Sequence, residues 1–155
     1  MYVTVVSSNQ KLPAIVEPVG EADFKTITKK RFSFNWKLEK VGTVYKLTAK
    51  GETDILGLIS ITSFDNEQRI EIKLLAVVKD HIGDGKQIDR IAGNLIAFAA
   101  RLAYKQYGAM AAISLIPKTE LRRHYTSKYG FEPAGLSLFM YGNQLIKLLK
   151  EYDYD

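Results

Sequence analysis

Cysteine is absent from this 155-residue chain. Its absence excludes disulfides, iron–sulfur clusters, thiolate zinc sites and a cysteine nucleophile. Histidine is scarce as well, and His81 and His124 lie too far apart in sequence to show the spacing of metal ligands. We therefore expect no metal site.

Long apolar runs are also missing. No segment approaches the roughly 20 apolar residues that span a membrane, and the apolar run at residues 1–6 is too short for a signal peptide. These absences favour a cytoplasmic protein. The length is close to the commonest size of one domain, so we expect a single domain over residues 1–155.

The charge is the first positive feature. The net charge of +5 favours anionic partners such as phosphates, nucleotides or nucleic acid, without choosing among them. One local basic cluster, Lys29-Lys30-Arg31, has the size of an ordinary solvated face. Aromatic residues are plentiful, but no RNP-like or zinc-finger pattern accompanies them. Nucleic acid is therefore a possible partner that the sequence does not favour.

The first half of the chain has the patterns of β-strands. Five segments are β-branched, alternating or apolar: residues 2–6, 24–38, 43–49, 55–63 and 69–78. The turn signal Gly51-Glu52-Thr53-Asp54 predicts a hairpin between the third and fourth of them. Residues 74–78 are continuously apolar, which predicts that the fifth strand is central in the sheet.

The second half alternates strands with helices. Residues 81–86 contain Gly83 and Gly85 and predict a loop. Apolar residues then recur at spacings of three and four from about Asp89 to Gly108, as in an amphipathic helix. The remaining elements are predicted as a strand at 111–116, a helix at 120–128, a strand at 136–141 and a helix at 144–152. This order predicts an α+β fold, with a mixed sheet flanked by helices.

The segment from the fifth strand to the long helix has the chemistry of an anion site. A buried strand, a glycine-containing loop and a helix start present unpaired N–H groups to a phosphate, and the helix dipole favours a negative charge there. Lys86 and Arg90 lie in the same segment and would add charge-assisted contacts to a diphosphate. Many strand–loop–helix units bind nothing, so this arrangement alone is not specific.

Three motifs in order make the segment more specific. Residues 71–77 read Glu-Ile-Lys-Leu-Leu-Ala-Val, and residues 87–92 read Gln-Ile-Asp-Arg-Ile-Ala, with Leu95-Ile96 following. Residues 125–131 read Tyr-Thr-Ser-Lys-Tyr-Gly-Phe. Over about residues 43–141 the chain thereby resembles the GNAT N-acetyltransferases, and in particular uncharacterised bacterial GNAT-like proteins. The resemblance implies a GNAT-type, mostly antiparallel twisted sheet, acetyl-CoA as co-substrate and a primary amine as acceptor.

Three departures from the family pattern accompany the resemblance. Arg90 stands where the loop motif has its central glycine. The loop before it is roughly five residues longer than usual, and such loops often adapt to ligand. The family's tyrosine position, four residues before the Gly of Gly-Phe, is Thr126 here, and Tyr125 precedes it by one residue, or about 100° around a helix.

The resemblance also assigns roles to residues. Glu71 matches the catalytic carboxylate base of some relatives, and Tyr125 is the candidate acid for the leaving thiolate. The cofactor-binding residues that it implies are Leu75, Val77, Gln87, Arg90, Ala92, Gly93 and Asn94. Two alternatives stay open: Glu71 is a solvent-facing strand residue paired with Arg69 or Lys73, and Tyr125 is a packed aromatic.

The acceptor and the partners are less determined. Four aromatic residues are expected either to line an acceptor pocket or to pack in the sheet and core: Phe32, Phe34, Trp36 and Tyr45. The implied acceptor is a small-molecule or peptide amine, or an aminoacyl-tRNA. Two alternative functions stay open: a catalytically weak or inactive CoA-binding or partner-binding module of the same fold, and a nucleic-acid- or tRNA-associated protein. The chain is expected to be a monomer or a homodimer, the latter through an edge strand at 136–141.

Overall fold

The computed structural model describes residues 1–39 and 43–152. In this described part there are three α-helices: α1 (Ile91–Tyr107), α2 (Arg122–Tyr129) and α3 (Gly142–Glu151). The strands in the same part are β1 (Tyr2–Val5), β2 (Gln10–Pro18), β3 (Val44–Ala49), β4 (Gly57–Phe64), β5 (Arg69–Val77), β6 (Ile88–Asp89), β7 (Ala112–Leu115), β8 (Glu132–Ala134) and β9 (Ser137–Tyr141).

The contacts between residues divide the chain into two compact units. The first unit comprises Met1–Ser60 and Leu74–Leu95, and the second comprises Ile61–Lys73 and Ile96–Asp155. Three elements contribute to both units, because the boundaries fall inside β4, β5 and α1.

The strands of the first unit are mainly antiparallel. Their hydrogen-bonded order is β6-β1-β2-β3-β4-β5, and the register places Val3 opposite Leu12 and Val16 opposite Leu47. Apolar side chains from the strands and from the segment between β2 and β3 form one core cluster: Val19, Ile27, Phe32, Trp36, Val44, Ile55, Leu58, Ala76 and Val78.

The second unit contains the parallel pair. β5 lies parallel to β7, with Glu71 opposite Ser114, and β9 lies antiparallel to both β7 and β8. The predicted α+β fold with a mixed, mostly antiparallel sheet is confirmed. The prediction of an edge strand at 136–141 is wrong, because β8 covers the side of β9 that does not pair with β7.

The start of α1 packs closely on β4. A Cβ atom placed on Gly57 would lie 2.7 Å from Cγ2 of Ile91 and 2.8 Å from Cδ1 of Leu95. Both side chains are buried. The missing side chain at Gly57 therefore allows the first turn of the helix to approach the strand, and this contact sets where α1 begins relative to β4.

One predicted strand region has a different structure. Residues 24–38 contain short 3-10 turns at Glu21–Lys25 and Trp36–Leu38 and no strand. Phe32 and Trp36 are both buried, and they are four residues apart, which a straight strand with one buried face also permits. The alternation of apolar and polar residues in the sequence therefore could not distinguish a strand from short 3-10 turns that bury the same aromatic residues.

Candidate functional site

The second half of β5 presents two faces in the first unit. Leu74 packs against the core cluster that includes Ala76 and Val78. Leu75 and Val77 alternate with them and are only half-buried, so they lie on the opposite face of the strand. The two predicted cofactor-binding positions of β5 therefore share the face that the core leaves open.

The loop after β5 is tied to the first strand. β6 pairs with β1 in antiparallel register, with Ile88 opposite Val5 and Asp89 opposite Thr4. The N–H of Val6 also donates to the carbonyl oxygen of Gln87 at 2.9 Å. The backbone of the predicted cofactor loop is thus fixed by a short ladder, while the side chain of Gln87 is exposed.

Arg90, at the position of the motif glycine, has a backbone conformation that glycine adopts more readily than other residues. Its φ is +75°, in the left-handed region that glycine occupies freely and other residues seldom adopt. Its guanidinium carbon lies 4.2 Å from the centroid of the Tyr2 ring, and its Nε donates to the Tyr2 carbonyl at 3.4 Å. A cation–π contact at this distance offsets part of the conformational cost.

The helix start after Arg90 has the donors of an anion site. The N–H of Asn94 donates to the carbonyl oxygen of Arg90 at 3.1 Å, which makes Arg90 the residue that precedes the first turn. The N–H groups of Ile91, Ala92 and Gly93 therefore have no acceptor within the helix. The positive end of the helix dipole adds to the attraction of these donors for an anion.

The side chains around this turn are already engaged with protein groups. Nδ2 of the buried Asn94 donates to the carbonyl oxygens of Tyr2 at 2.8 Å and of Arg90 at 2.7 Å. Lys86 Nζ lies 3.0 Å from Asp89 Oδ1. Asn94 thus holds the loop in place, whereas backbone donors of the first turn and the Arg90 guanidinium are the groups suited to a diphosphate.

Sequence reasoning did not single out Tyr2, although it joins this site together. The Tyr2 carbonyl oxygen accepts hydrogen bonds from Arg90 and Asn94. The Tyr2 ring makes two cation–π contacts, with the Arg90 guanidinium carbon at 4.2 Å and with Lys11 Nζ at 4.5 Å from the ring centroid. Nothing in the run at residues 2–6 distinguishes such a residue from an ordinary strand aromatic, because the contact spans nearly ninety positions of sequence.

Glu71 belongs to the second unit and faces a cation. Nη1 of Arg69 lies 3.7 Å from Glu71 Oε1 and donates to Ser114 Oγ at 2.9 Å. Nη2 of the same guanidinium lies 2.9 Å from Glu67 Oε2. The ion pair with Arg69 is one of the two alternatives that the sequence left open for Glu71, and 26% of the Glu71 side-chain surface is exposed.

Tyr125, also in the second unit, lies in an aromatic cluster on α2. Its ring centroid is 6.0 Å from that of Tyr129 and 6.1 Å from that of Phe131. Among the described residues its hydroxyl has no hydrogen-bond partner. Burial raises the pKa of the Tyr125 phenol above its ordinary value, because the phenolate would lose its hydration. The hydroxyl therefore keeps its proton at neutral pH and is able to donate it.

A cavity of about 340 Å³ in the first unit is lined by residues 27–29 and 34–37, in the segment that connects β2 to β3. Its walls include two of the four predicted pocket aromatics, Phe34 and Trp36, and the lysines Lys29 and Lys37. Phe32 is fully buried in the core instead. Sequence reasoning did not include the two lysines, since Lys29 was assigned to a solvated cluster and Lys37 stood alone.

Two kinds of feature are absent from the described residues. In residues 1–39 and 43–152, no group of three or more acidic or histidine side chains is placed to hold a metal ion. No helix in the same ranges combines the length and apolarity needed to cross a membrane.

Comparison with known proteins identifies the fold. No family model and no curated protein sequence matches the chain. Among solved structures, the chain is similar to N-acetylglutamate synthase from Neisseria gonorrhoeae complexed with coenzyme A and L-arginine, with a TM-score of 0.63 and 13% identity over 87% of this chain. The chain spans 36% of the length of that synthase.

Two shorter proteins match along nearly their whole length. A GNAT-family acetyltransferase from Listeria monocytogenes has a TM-score of 0.54 and 14% identity over 90% of this chain and 97% of its own. A proposed streptothricin acetyltransferase from Bacillus anthracis, in complex with acetyl coenzyme A, has a TM-score of 0.60 and 14% identity over 85% of this chain and 100% of its own. The chain has the fold of the GNAT acetyltransferases, and the resemblance noted in its sequence is confirmed at the level of fold.

Proposed function

We propose that the chain is an acetyl-CoA-dependent N-acetyltransferase that transfers the acetyl group to a primary amine by direct attack. The observation that carries the proposal is the start of α1. Arg90, at the position of the motif glycine, has a left-handed backbone, and three N–H donors follow it at the positive end of a 17-residue helix. Fold alone does not fix function, but this fold with this loop has the chemistry of a diphosphate cradle.

The proposed cofactor-binding residues divide into three groups. Leu75 and Val77 would hold the pantetheine arm through their backbone N–H groups on the open face of β5. Ala92 and Gly93 would donate backbone N–H groups to the diphosphate. Gln87, Arg90 and Asn94 would border the diphosphate, with Asn94 acting through the loop that it fixes.

Acetyl-CoA would supply an activated acetyl thioester. In the proposed reaction Glu71 accepts the proton of the acceptor ammonium, so that a neutral amine attacks. A backbone N–H of β5 donates to the developing oxyanion. Tyr125 donates its phenolic proton to the leaving thiolate, since burial raises its pKa and the proton is present at neutral pH. The attacking nitrogen then loses its excess proton, which restores the phenol of Tyr125.

The direct test of cofactor binding is isothermal titration with acetyl-CoA and with CoA. We expect saturable binding of both at micromolar to millimolar concentrations. Pantetheine, which lacks the diphosphate, is the matched control and should bind much more weakly. Absence of binding at millimolar CoA would contradict the proposal.

A CoA-binding module without transferase activity is the second candidate function. Two contacts favour it: the ion pair between Glu71 and Arg69, and the packing of Tyr125 among aromatic rings. It predicts CoA binding without acetyl transfer to any amine in a broad panel.

Substitution of Glu71 separates the two candidates. If Glu71 is the base, Glu71→Gln lowers turnover by more than about tenfold while CoA affinity stays within about twofold. The matched control is Glu67→Gln, which removes another carboxylate paired with Arg69. Equal and small effects of the two substitutions would remove the assignment of Glu71 as base.

A further inference from the structure

Arg69, in the second unit, is held by more contacts than the proposed reaction uses. Its Nη1 donates to Ser114 Oγ at 2.9 Å, and its Nη2 donates to Glu67 Oε2 at 2.9 Å. The guanidinium carbon lies 4.0 Å from the centroid of the Phe64 ring. Only 15% of the Arg69 side chain is exposed, so these contacts fix a guanidinium that is largely removed from water.

The register of the sheet places Arg69, Glu71 and Ser114 on one face. Glu71 lies opposite Ser114 in the parallel ladder of β5 and β7, and residues directly opposite each other point their side chains to the same face. Arg69 precedes Glu71 by two positions in β5, so it shares that face. The strand pairing therefore brings the guanidinium, the carboxylate and the hydroxyl together.

Arg69 is in hydrogen-bond contact with Ser114 but not with Glu71. The same Nη1 that donates to Ser114 Oγ at 2.9 Å is 3.7 Å from Glu71 Oε1. A separation of 3.7 Å is too long for a hydrogen bond, although it keeps a Coulomb attraction. The guanidinium therefore attracts the Glu71 carboxylate without using up the lone pairs of its oxygens.

Ser114 is the anchor that holds Arg69 at this distance. It is only 1% exposed, so water does not compete for its hydroxyl, whereas 59% of the Glu67 side chain is exposed and its ion pair is correspondingly weak. Within residues 1–39 and 43–152, the buried Nε of Arg69 has no hydrogen-bond partner. An unpaired buried N–H costs stability, so stability alone does not account for an arginine here.

We infer that Arg69 is a positioning residue for Glu71, and that Ser114 holds the Arg69 guanidinium back from that carboxylate. The inference rests on the proposed role of Glu71 as the base. Coulomb attraction restricts the directions of the Glu71 side chain, while the anchored guanidinium leaves its oxygens able to accept the ammonium proton. A guanidinium released from Ser114 would close on Glu71 in a two-bond contact and occupy those oxygens.

A double-mutant cycle tests whether Arg69 acts through Glu71. With the amine that wild type acetylates fastest, Arg69→Gln should lower kcat about five- to twentyfold. The double variant Arg69→Gln/Glu71→Gln should have a kcat within about twofold of that of Glu71→Gln alone. CoA affinity should stay within about twofold in all three variants. A merely structural role of Arg69 predicts that the two losses multiply, and that result would overturn the inference.

Ser114→Ala tests the anchor. The substitution keeps both the carboxylate and the guanidinium but lets them close on each other, so kcat should fall about three- to tenfold with CoA affinity unchanged. Ser60→Ala is the matched control, because Ser60 is equally buried and its hydroxyl donates to a carboxylate oxygen, Glu39 Oε1, at 2.7 Å. Ser60→Ala should leave kcat within about twofold. Equal effects of the two substitutions would overturn the role of Ser114.

The buried Nε–H of Arg69 offers a measurement that needs no turnover. Its signal in a ¹⁵N–¹H spectrum is identified by its absence from the spectrum of Arg69→Gln. We expect Glu71→Gln and Ser114→Ala to shift this signal and Ser60→Ala to leave it in place. A signal that Glu71→Gln does not shift would mean that the guanidinium and the carboxylate do not interact in solution, which would overturn the inference.

Acetyl transfer by wild type separates this inference from the proposed function. If wild type acetylates an amine and the losses at Arg69 and Glu71 multiply, the positioning role fails while the proposed function stands. If CoA binds but wild type acetylates no amine of a broad panel, the proposed transfer fails, and the inference fails with it even where the Nε–H signal shows the ion pair. Losses that do not multiply, together with a slower Ser114→Ala and an unchanged Ser60→Ala, would support both.

Discussion

Arg90 shows how a residue other than glycine can occupy a glycine position. The left-handed backbone at this position is unfavourable for a residue with a side chain, and the contacts of the Arg90 guanidinium with Tyr2 offset part of that cost. The sequence places Arg90 where the loop motif has its central glycine. The structure shows that Arg90 has a positive φ, which glycine adopts freely, although the residue type differs.

Two substitutions at Arg90 separate its backbone from its charge. Arg90→Ala removes the guanidinium and keeps the strained φ, so we expect CoA affinity to fall about tenfold or more and stability to fall by about 1–2 kcal/mol. Arg90→Gly removes the guanidinium and also the strain, so its losses should be smaller. Calorimetric titration and urea denaturation give the ranking, and equal losses for Ala and Gly would show that the left-handed backbone has no part in binding.

The proposed role of Tyr125 as the acid depends on its burial among aromatic rings. Tyr125→Phe should lower the maximal rate of acetyl transfer by about ten- to a hundredfold with CoA affinity unchanged, because it removes the proposed acid and keeps the ring. Tyr129→Phe, which alters a neighbouring ring of the same cluster, is the control. A similar fall in both variants would indicate a packing role for Tyr125.

The raised pKa of Tyr125 also predicts a pH dependence of stability. Since burial raises the folded-state pKa above the ordinary phenol value, the group contributes its full stability below about pH 10 and loses it as the pH rises through the folded-state pKa. Wild type should therefore lose stability at strongly alkaline pH relative to Tyr125→Phe. Urea denaturation of both proteins across that range measures the difference, and parallel curves would contradict it.

At the scale of elements, the contact between β4 and the start of α1 depends on Gly57. Gly57→Ala would place a methyl group against Ile91 and Leu95 at less than van der Waals distance. We expect a loss of about 1–3 kcal/mol in the free energy of unfolding, because a packed core has little room for an added carbon. We also expect weaker CoA binding, since the same shift moves the N–H donors of the first turn.

Gly51→Ala is the control for Gly57→Ala, because Gly51 lies in the same unit but away from the start of α1. Gly51 has a positive φ, and a Cβ atom there would meet no other atom within 4 Å. Its substitution should reduce stability through backbone strain and leave CoA affinity unchanged. If Gly57→Ala reduced stability but not CoA affinity, packing at Gly57 would not determine the position of the N–H donors in the first turn of α1.

The elements that the sequence predicted are those with a strong local period. Nine elements were predicted within a few residues of their observed bounds: β1, β3, β4, β5, β7, β9, α1, α2 and α3. β2 was missed because Pro13 and Pro18 interrupt its pattern and most of its side chains are exposed. β8 was missed because it is three residues long and contains Pro133. Because β8 was not predicted, β9 was expected to be an edge strand.

The candidate site was predictable only where a motif is continuous in sequence. The loop and helix start at residues 87–94 are one such stretch. The contact between Tyr2 and Arg90 and the cavity that Lys29, Trp36 and Lys37 help to line depend on residues that folding brings together. Composition and periodicity contain no information about these contacts, because neither residue type nor spacing distinguishes them from surface positions.

At the scale of the whole molecule, CoA should stabilise the folded chain by mass action. A ligand present at about 100 times its dissociation constant adds about 2.7 kcal/mol to the free energy of unfolding. We expect a thermal midpoint that rises with CoA concentration and rises much less with pantetheine at equal concentration. A midpoint that pantetheine raises as much as CoA would contradict the assignment of Ala92 and Gly93 to the diphosphate.

The short ladder between β6 and β1 has a practical consequence for expression and purification. The ring of Tyr2, in β1, lies 4.2 Å from the guanidinium carbon of Arg90. An affinity tag or a cleavage scar fused ahead of Met1 would therefore lie close to the proposed cofactor loop. Purification through a tag that follows residue 155 avoids this interference, and weak binding measured with an amino-terminal tag would first have to be repeated without it.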